Sequence, residues 1–325
     1  MMAGTLFADY YADWVNIFKE GGPVRPATVD AYRQAVSNLK MLAPDLPLSE
    51  LNKREYQHII NRYSKGHARN SVRQFHSLLK PAILDALDDG LIATNPTRRT
   101  VIKGKAKTDG RNWLHQEEAA RLCQEFELEK PVIREAPRRH SRGQELEVNW
   151  DWLFLLCLKT GIRFSEALAL TPGDFDFEGG MLDISKTFDY KYSFRPLDET
   201  KSGTSARAVQ MDGRLCDQFR QMVRGKEPGM QIFVPPGQRV HNSTANKRLK
   251  VLCFQADIPE ISIHGLRHTH ASLLLYSGVS INTVSKRLGH SRISLTLDCY
   301  SHIIKELEEM DSCRIADIMA SVYDF

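Results

Sequence analysis

Several things are scarce in this chain, and each scarcity removes a class of protein. No apolar run among the 325 residues reaches the roughly 18 that a membrane-spanning helix needs. The opening stretch, MMAGTLFADYYADW, is acidic and aromatic, so it does not read as a secretory signal peptide. The six cysteines (Cys123, Cys157, Cys216, Cys253, Cys299 and Cys313) are scattered with no CxxC spacing, and Cys157 lies inside the apolar LFLLCLKTG. Reduced thiols in a cytoplasmic protein are the simpler reading. There is no internal repeat and no low-complexity tract. Excess charge is scarce too: a net +4 is by itself a weak argument for a nucleic-acid partner.

What is present is the make-up of a globular protein, with 42% hydrophobic and 26% charged residues and length for about two domains. The charge is unevenly spread. Residues 1–112 carry 17 Lys+Arg against 11 Asp+Glu, whereas the remainder carries 27 against 29. A polyanion would therefore meet the N-terminal third first, and its affinity would depend on salt.

Residues 1–98 read as a small helical domain without strands. Leu6, Tyr10, Trp14 and Phe18 recur every four residues, and Gly21-Gly22-Pro23 stops that helix. Thr28 is expected to cap a second helix, Asn52 with Glu55 a third, and Asn70 a fourth that ends at Gly90. Their polar faces carry Arg62, Lys65, Arg69 and Arg73, which either grip a nucleic-acid backbone or are solvated helix faces. Residues 99–112 are basic and aperiodic, with Lys103, Lys105 and Lys107, and read as an extended interdomain linker able to lie along phosphates.

The second domain is expected over 113–325. A helix begins near His115, and 129–149 reads as a polar loop. An apolar helix runs from Trp150 and ends at Gly161. Arg163 follows that glycine turn and precedes a new helix, where it could favour an anion or pair with Glu166. The period then changes: residues 181–188 and 207–211 look like strands, with Lys201 near the tip or flank of a hairpin and Lys186 on the adjoining strand. Helices return over 212–258.

The stretch 261–304, ISIHGLRHTHASLLLYSGVSINTVSKRLGHSRISLTLDCYSHII, holds the densest chemistry. His264 and Arg267 are three apart and share a helix face. Gly289 ends a helix over 282–288, placing His290 just past its C-terminus. Tyr300 follows in a polar segment before a final helix. Arginine grips phosphate oxygens, histidine moves protons and tyrosine attacks, so these are parts for breaking a phosphodiester. The competing reading is a metal site on His264, His268 and His270, but no Asp, Glu or Cys stands nearby at ligand spacing.

Taken together, Arg163 in TGIRFSEALAL, Lys201 in ETKSGTSARAVQM, His264 and Arg267 in HGLRHTHASLLL, His290 in RLGHSRISLTLDCY, and Tyr300 resemble the tyrosine recombinases, the phage-type integrases of temperate phages and conjugative transposons. The order Arg, Lys, His-x-x-Arg, His, Tyr is complete. The resemblance implies a mainly α fold with a small antiparallel β-sheet (α+β): a helical core-binding domain joined to a mixed α/β catalytic domain, the two clamping a duplex. Relatives often carry a further N-terminal arm-binding domain; this chain starts directly at the core-binding helices.

The implied activity is site-specific DNA recombination, integrating or excising a mobile element through a 3′-phosphotyrosyl intermediate on Tyr300. Arg163 and Arg267 would clamp the non-bridging oxygens, preorganised donors worth roughly 3–4 kcal/mol each. Lys201 would be the general acid, His264 would assist proton transfer at the tyrosine, and His290 would hydrogen-bond the phosphate. No cofactor and no metal are implied. Implied partners are double-stranded attachment-site DNA, a homotetramer on two sites formed from monomers in solution, and accessory DNA-bending or directionality proteins. The C-terminal tail, with Ile315, Ile318 and Met319, would pack on a neighbouring protomer or on its own domain. A type IB topoisomerase-like strand transferase and a non-catalytic DNA-binding protein are the alternatives.

Overall fold

A computed structural model describes residues 4–105, 111–135, 146–197 and 206–301, together with Ile303, Ile304, Ile315 and Met319. The chain divides into two compact units, Met1–Gly110 and Arg111–Phe325. Among the described residues no helix is long and apolar enough to cross a membrane.

Among the described residues the first unit holds four α-helices: α1 (Phe7–Phe18), α2 (Pro26–Leu42), α3 (Lys53–Ser64) and α4 (Arg69–Asp88). Phe7, Tyr11, Trp14, Leu39, Tyr56, Ile59, Phe75 and Ile83 are buried between them. Phe18, in step with the α1 pattern, is 56% exposed and stands outside this core. Polar anchors fix the angles: Trp14 Nε1 donates to Asp85 Oδ2 (2.6 Å), and the Tyr11 hydroxyl donates to Leu78 O (3.1 Å).

Asn52 caps α3 as expected, accepting from the backbone of Arg54 and Glu55. Thr28 and Asn70 do not cap their helices. Pro26 opens α2 from its first position, where a missing N–H costs nothing, and α4 starts one residue ahead of Asn70. Residues 101–105 are fastened to this unit. Val101 exchanges two 2.9 Å bonds with the Gln57 side chain, and Lys105 N donates to His67 O (2.9 Å).

The second unit begins with α5 (Gln116–Gln124), whose first turn holds Glu118 against the His115 N–H and Arg111. The loop expected over 129–149 contains a short antiparallel pair instead, β1 (Ile133–Glu135) with β2 (Leu146–Val148). Three-residue strands fall below the length at which alternation shows in a sequence. Next come α6 (Trp150–Thr160), buried along nearly its whole length, and the short α7 (Phe164–Ala169). Strands β3 (Phe175–Asp176), β4 (Met181–Ile184) and β7 (Arg207–Gln210) form an antiparallel sheet with Leu182 opposite Val209, both buried. Between β4 and β7 an inserted hairpin pairs β5 (Thr187–Asp189) with β6 (Arg195–Leu197), so the described residues of this region form two small sheets rather than one hairpin.

Helices α8 (Gly213–Val223), α9 (Asn242–Gln255), α10 (Ile263–Tyr276) and α11 (Ile281–Leu288) complete the unit, with a further helix, α12, over 293–301. α10 packs along α6 and brings its polar face to the end of that helix. Buried Asp151, at the start of α6, is held by Arg248 of α9 through Nη2 (2.7 Å) and Nε (3.0 Å). The five described cysteines are free thiols.

Candidate active site

Two helix ends organise the site. α6 and α11 both finish on glycines in the left-handed region, Gly161 (φ 72°) and Gly289 (φ 68°). A side chain at either would be strained and would also collide: a Cβ at Gly161 would lie 2.5 Å from His270 Cδ2, and one at Gly289 2.7 Å from Arg207 Nη1. The last carbonyls of a helix have no partner within it. Here arginine side chains supply one. Arg267, on α10 and 2% exposed, donates from Nη1 to Gly161 O (2.6 Å) and from Nη2 to Leu288 O (2.7 Å). Arg163, the residue before α7, donates from Nη2 to Gly289 O (3.3 Å). Arg207, at the start of β7, donates from Nε to Arg287 O (2.7 Å).

A single buried carboxylate sits among these guanidinium groups. Glu166 accepts from Arg163 Nη1 (2.7 Å) and from Arg207 Nη2 (2.9 Å), and takes the Arg163 backbone N–H as well (2.9 Å). Burial opposes its charge, but the Arg207 hydrogen bond, then the charges of Arg207 and Arg163, hold its pKa down to about 2. Burial, then the Arg163 charge, disfavours the charged form of Arg267, and Glu166 acts the other way. Three guanidinium groups and one carboxylate leave a positive excess of two, built to receive an anion. The side chain of Arg163 remains 30% exposed and can reach one.

His290 follows Gly289, with its N–H on Ser285 O (3.1 Å) and its Nδ1 2.7 Å from Thr296 Oγ1 of α12. Burial, then Arg267, Arg163 and Arg207, pushes its pKa down to about 4, so at neutral pH it is a neutral imidazole. Partial desolvation, then Arg267 and Arg163, lowers that of His264 as well. His264 and His268 stand one turn apart on α10 with their rings edge to face at 4.6 Å.

Tyr300 lies within α12, not in a polar segment ahead of a helix. It is 2% exposed and packs with Ala271, Leu275, Val284, Leu288 and Ile303. Burial raises its pKa, opposed by the Arg267 charge. Its hydroxyl lies 2.9 Å from His268 Nδ1.

His270 turns the other way from His264 and His268. Its Nδ1 meets Leu158 O of α6 (2.9 Å), and its Nε2 accepts from Arg287 Nε (3.0 Å). Burial, then the Arg287 charge, pushes its pKa down to about 3. The three histidines therefore do not converge on one point.

Sequence reasoning did not single out Arg207 or Arg287, weighed His268 only as a metal ligand, and treated Glu166 only as a pairing partner. For His268 a signal existed, since it lies four residues after His264 on one helix face. Arg207 and Glu166 are 41 residues apart and gave none. Lys201 and Lys107 lie outside the described residues, as do Ile318 and Cys313. Lys186 is bound to Asp174 Oδ1 (2.8 Å). In the first unit Arg62, Lys65, Arg69, Arg73, Lys103 and Lys105 are all exposed. Of these, Arg62 donates to Leu42 O at the end of α2 (2.6 Å), and Lys105 runs beside Ala68, next to Arg69.

Residues 112–306 match the phage integrase family, and the chain belongs to that family. It is a tyrosine site-specific recombinase by that membership. A tyrosine recombinase XerC-like protein of Caldanaerobacter subterraneus is 26% identical over 302 residues, covering 84% of this chain and 72% of the relative. The integrase of Staphylococcus phage L54a is 24% identical over 324 residues, covering 91% and 88%. In fold the chain is similar to the Tn1549 transposon integrase solved with transposon right end DNA (TM-score 0.75, 18% identity, 96% of this chain and 100% of that one). It is also similar to a λ integrase dimer bound to a core site (TM-score 0.62, 17% identity, 89% and 93%). The mainly α architecture with small antiparallel sheets is thus that of the integrases.

Proposed function

We propose that this chain cuts and rejoins double-stranded DNA at the core sites of a mobile element, with Tyr300 as the nucleophile. The phenol oxygen attacks the scissile phosphorus, the bond to the 5′-oxygen breaks, and a 3′-phosphotyrosyl link forms. The released 5′-hydroxyl then attacks the phosphotyrosine of a partner strand. The bond energy is kept in the covalent link, so strand exchange needs no nucleotide. Arg163 and Arg267 bind the non-bridging oxygens, and His290 adds a neutral hydrogen bond there. Lys201 is assigned the general acid that protonates the 5′-oxygen. His264, on the same helix face as Arg267, lines the site.

The observation that carries this reading is the arginine cradle. Donors held by helix-end carbonyls and a buried carboxylate need no reorganisation as charge builds on the phosphate, which is how such groups lower a barrier.

Lys65, Arg69, Arg73, Lys103, Lys105 and Lys107 are assigned to phosphate contacts, with Arg62 divided between DNA and its bond to Leu42 O. The λ integrase has been solved as a tetramer on a Holliday junction, which supports four copies of this chain acting on two sites. Bending or directionality factors that assist assembly, and a cytoplasmic place of action, complete the proposal.

The test is covalent capture. A nicked duplex, selected from a randomised pool for capture by the wild-type chain, is incubated with EDTA and without nucleotide, then run on a denaturing gel. An adduct that disappears in Tyr300→Phe is expected. Tight binding without any adduct would leave only a DNA-binding protein. For Lys201, a bridging 5′-sulfur supplies a leaving group that needs no proton. Lys201→Met should cut the oxygen substrate slowly and the sulfur substrate at nearly the wild-type rate.

A further inference from the structure

The phenol of Tyr300 has an immediate neighbour that the roles above leave unused. His268 Nδ1 is 2.9 Å from the hydroxyl, and the two rings meet at 67° with centroids 5.6 Å apart. The residue expected to serve the tyrosine, His264, lies a turn earlier and abuts the ring of His268 edge to face. The phenol itself is enclosed, 2% exposed, on an apolar bed of Leu275, Val284 and Leu288. Bulk water cannot readily take its proton there. Among the described residues, the titratable and charged groups placed around the pair are His264 and Arg267 on α10 and Cys299 on α12.

We propose that His268 is the general base that takes the proton of Tyr300 as the phenol oxygen attacks, and returns it when the strand is resealed. This rests on Tyr300 being the nucleophile. In cleavage the Tyr300 oxygen–phosphorus bond forms and the phosphorus–5′-oxygen bond breaks. The phenolic proton moves to His268 Nδ1, and the 5′-oxygen receives a proton from the general acid. In resealing, the 5′-hydroxyl attacks, the phenol oxygen leaves, and His268 gives the proton back. For this the imidazole must begin neutral, with its hydrogen on Nε2. His264 acts as a wall that fixes the His268 ring plane.

The full-length chain is tested on the captured duplex in two forms, with oxygen or sulfur at the bridging 5′ position. His268→Asn keeps an acceptor close to where Nδ1 lies but cannot hold a proton. Because general-base catalysis is worth about 10²–10⁴-fold, His268→Asn should cleave roughly 100-fold more slowly. The deficit should be equal on both substrates, since the sulfur relieves only the general acid. DNA affinity should change less than about threefold. The wild-type rate on the sulfur substrate should fall on the acid side as His268 takes a proton, whereas the variant's rate should keep climbing with hydroxide.

A His268→Asn protein that matches wild type on the sulfur substrate in rate and pH profile overturns the inference while leaving Tyr300 as nucleophile. If that variant does not fold, the wild-type profile decides: a flat rate between about pH 5 and 8 overturns the inference equally. An adduct that survives Tyr300→Phe removes the nucleophile assignment, and His268 with it.

Discussion

Arginine is used in two opposite ways in this molecule. In the first unit Arg69 and Arg73 stand exposed on α4, beside Lys65 and Lys105 around the turn into that helix. In the second, Arg267 is 2% exposed and Arg207 is nearly as deep, and their guanidinium groups are held by Gly161, Leu288 and Arg287 carbonyls and by Glu166. The exposed set is hydrated and screened by salt; it suits holding a long polyanion anywhere along its length. The buried set has already lost its water and its rotamer freedom during folding. It suits binding one phosphate in one geometry. In the proposed roles the same side chain serves affinity in one place and catalysis in the other, and burial with backbone partners separates the two.

The sharpest way to break that comparison is to remove a buried arginine. Arg267→Ala deletes the donor of two helix-end carbonyls and one of two proposed phosphate clamps, so adduct formation should fall at least about 1000-fold, near the upper end for such donors. Melting temperature should drop as well. A rate within tenfold of wild type would mean that Arg267 only holds α6 and α11 together.

Second comes acid. Glu166 is held at about 2, below the usual carboxylate value of 4.5, and His270 at about 3, below the usual imidazole value of 6.5. Both are lowered in the folded state, so the unfolded chain binds more protons in these windows, and stability falls with falling pH. The loss should begin below about pH 6.5 through His270 and steepen below about 4.5 as Glu166 adds to it. Thermal unfolding of the second unit across this range checks the sign. His270→Gln should delay the loss; a steeper acid loss in that variant would contradict the account.

Removing exposed charges should act differently. Arg69→Ala with Lys105→Ala should weaken DNA binding several-fold at moderate salt. The slope of log affinity against log salt should fall by roughly 0.9 for each phosphate that is no longer neutralised. Cleavage at saturating DNA should not change. A slope equal to wild type would take these two residues off the phosphate path. The smallest effect is expected at Lys186, whose pairing with Asp174 is partly exposed. Lys186→Met should cost about 0–1 kcal/mol of stability. It should also leave the cleavage rate within about twofold, whereas Lys201→Met should not.

Much of this is legible in the chain because the decisive signals are local. Gly161 and Gly289 mark helix ends, and a residue just past such an end has a predictable place, which locates Arg163 and His290. His264 and Arg267 are linked by helical spacing alone. The helix around Tyr300 is hidden because exposed Ile293, Leu295 and Leu297 alternate like a strand and mask the helical row of Thr296, Tyr300 and Ile303 that is buried. Glu166 with Arg207 is not legible, since only β4–β7 pairing brings β7 to α7, and no local pattern encodes it. Arg62 reads as a solvated or DNA-facing charge because nothing in its neighbourhood announces the carbonyl of Leu42.

Apart from the Glu166 carboxylate, the cradle's fixed points are main-chain oxygens at two helix ends. No single substitution deletes a carbonyl, so these acceptors, unlike Glu166, are beyond the reach of point mutation. What mutation can do is alter the path of the chain that presents them. Inactivating changes in a random library should therefore gather at Gly161 and Gly289, two residues without side chains, as densely as at the arginines themselves.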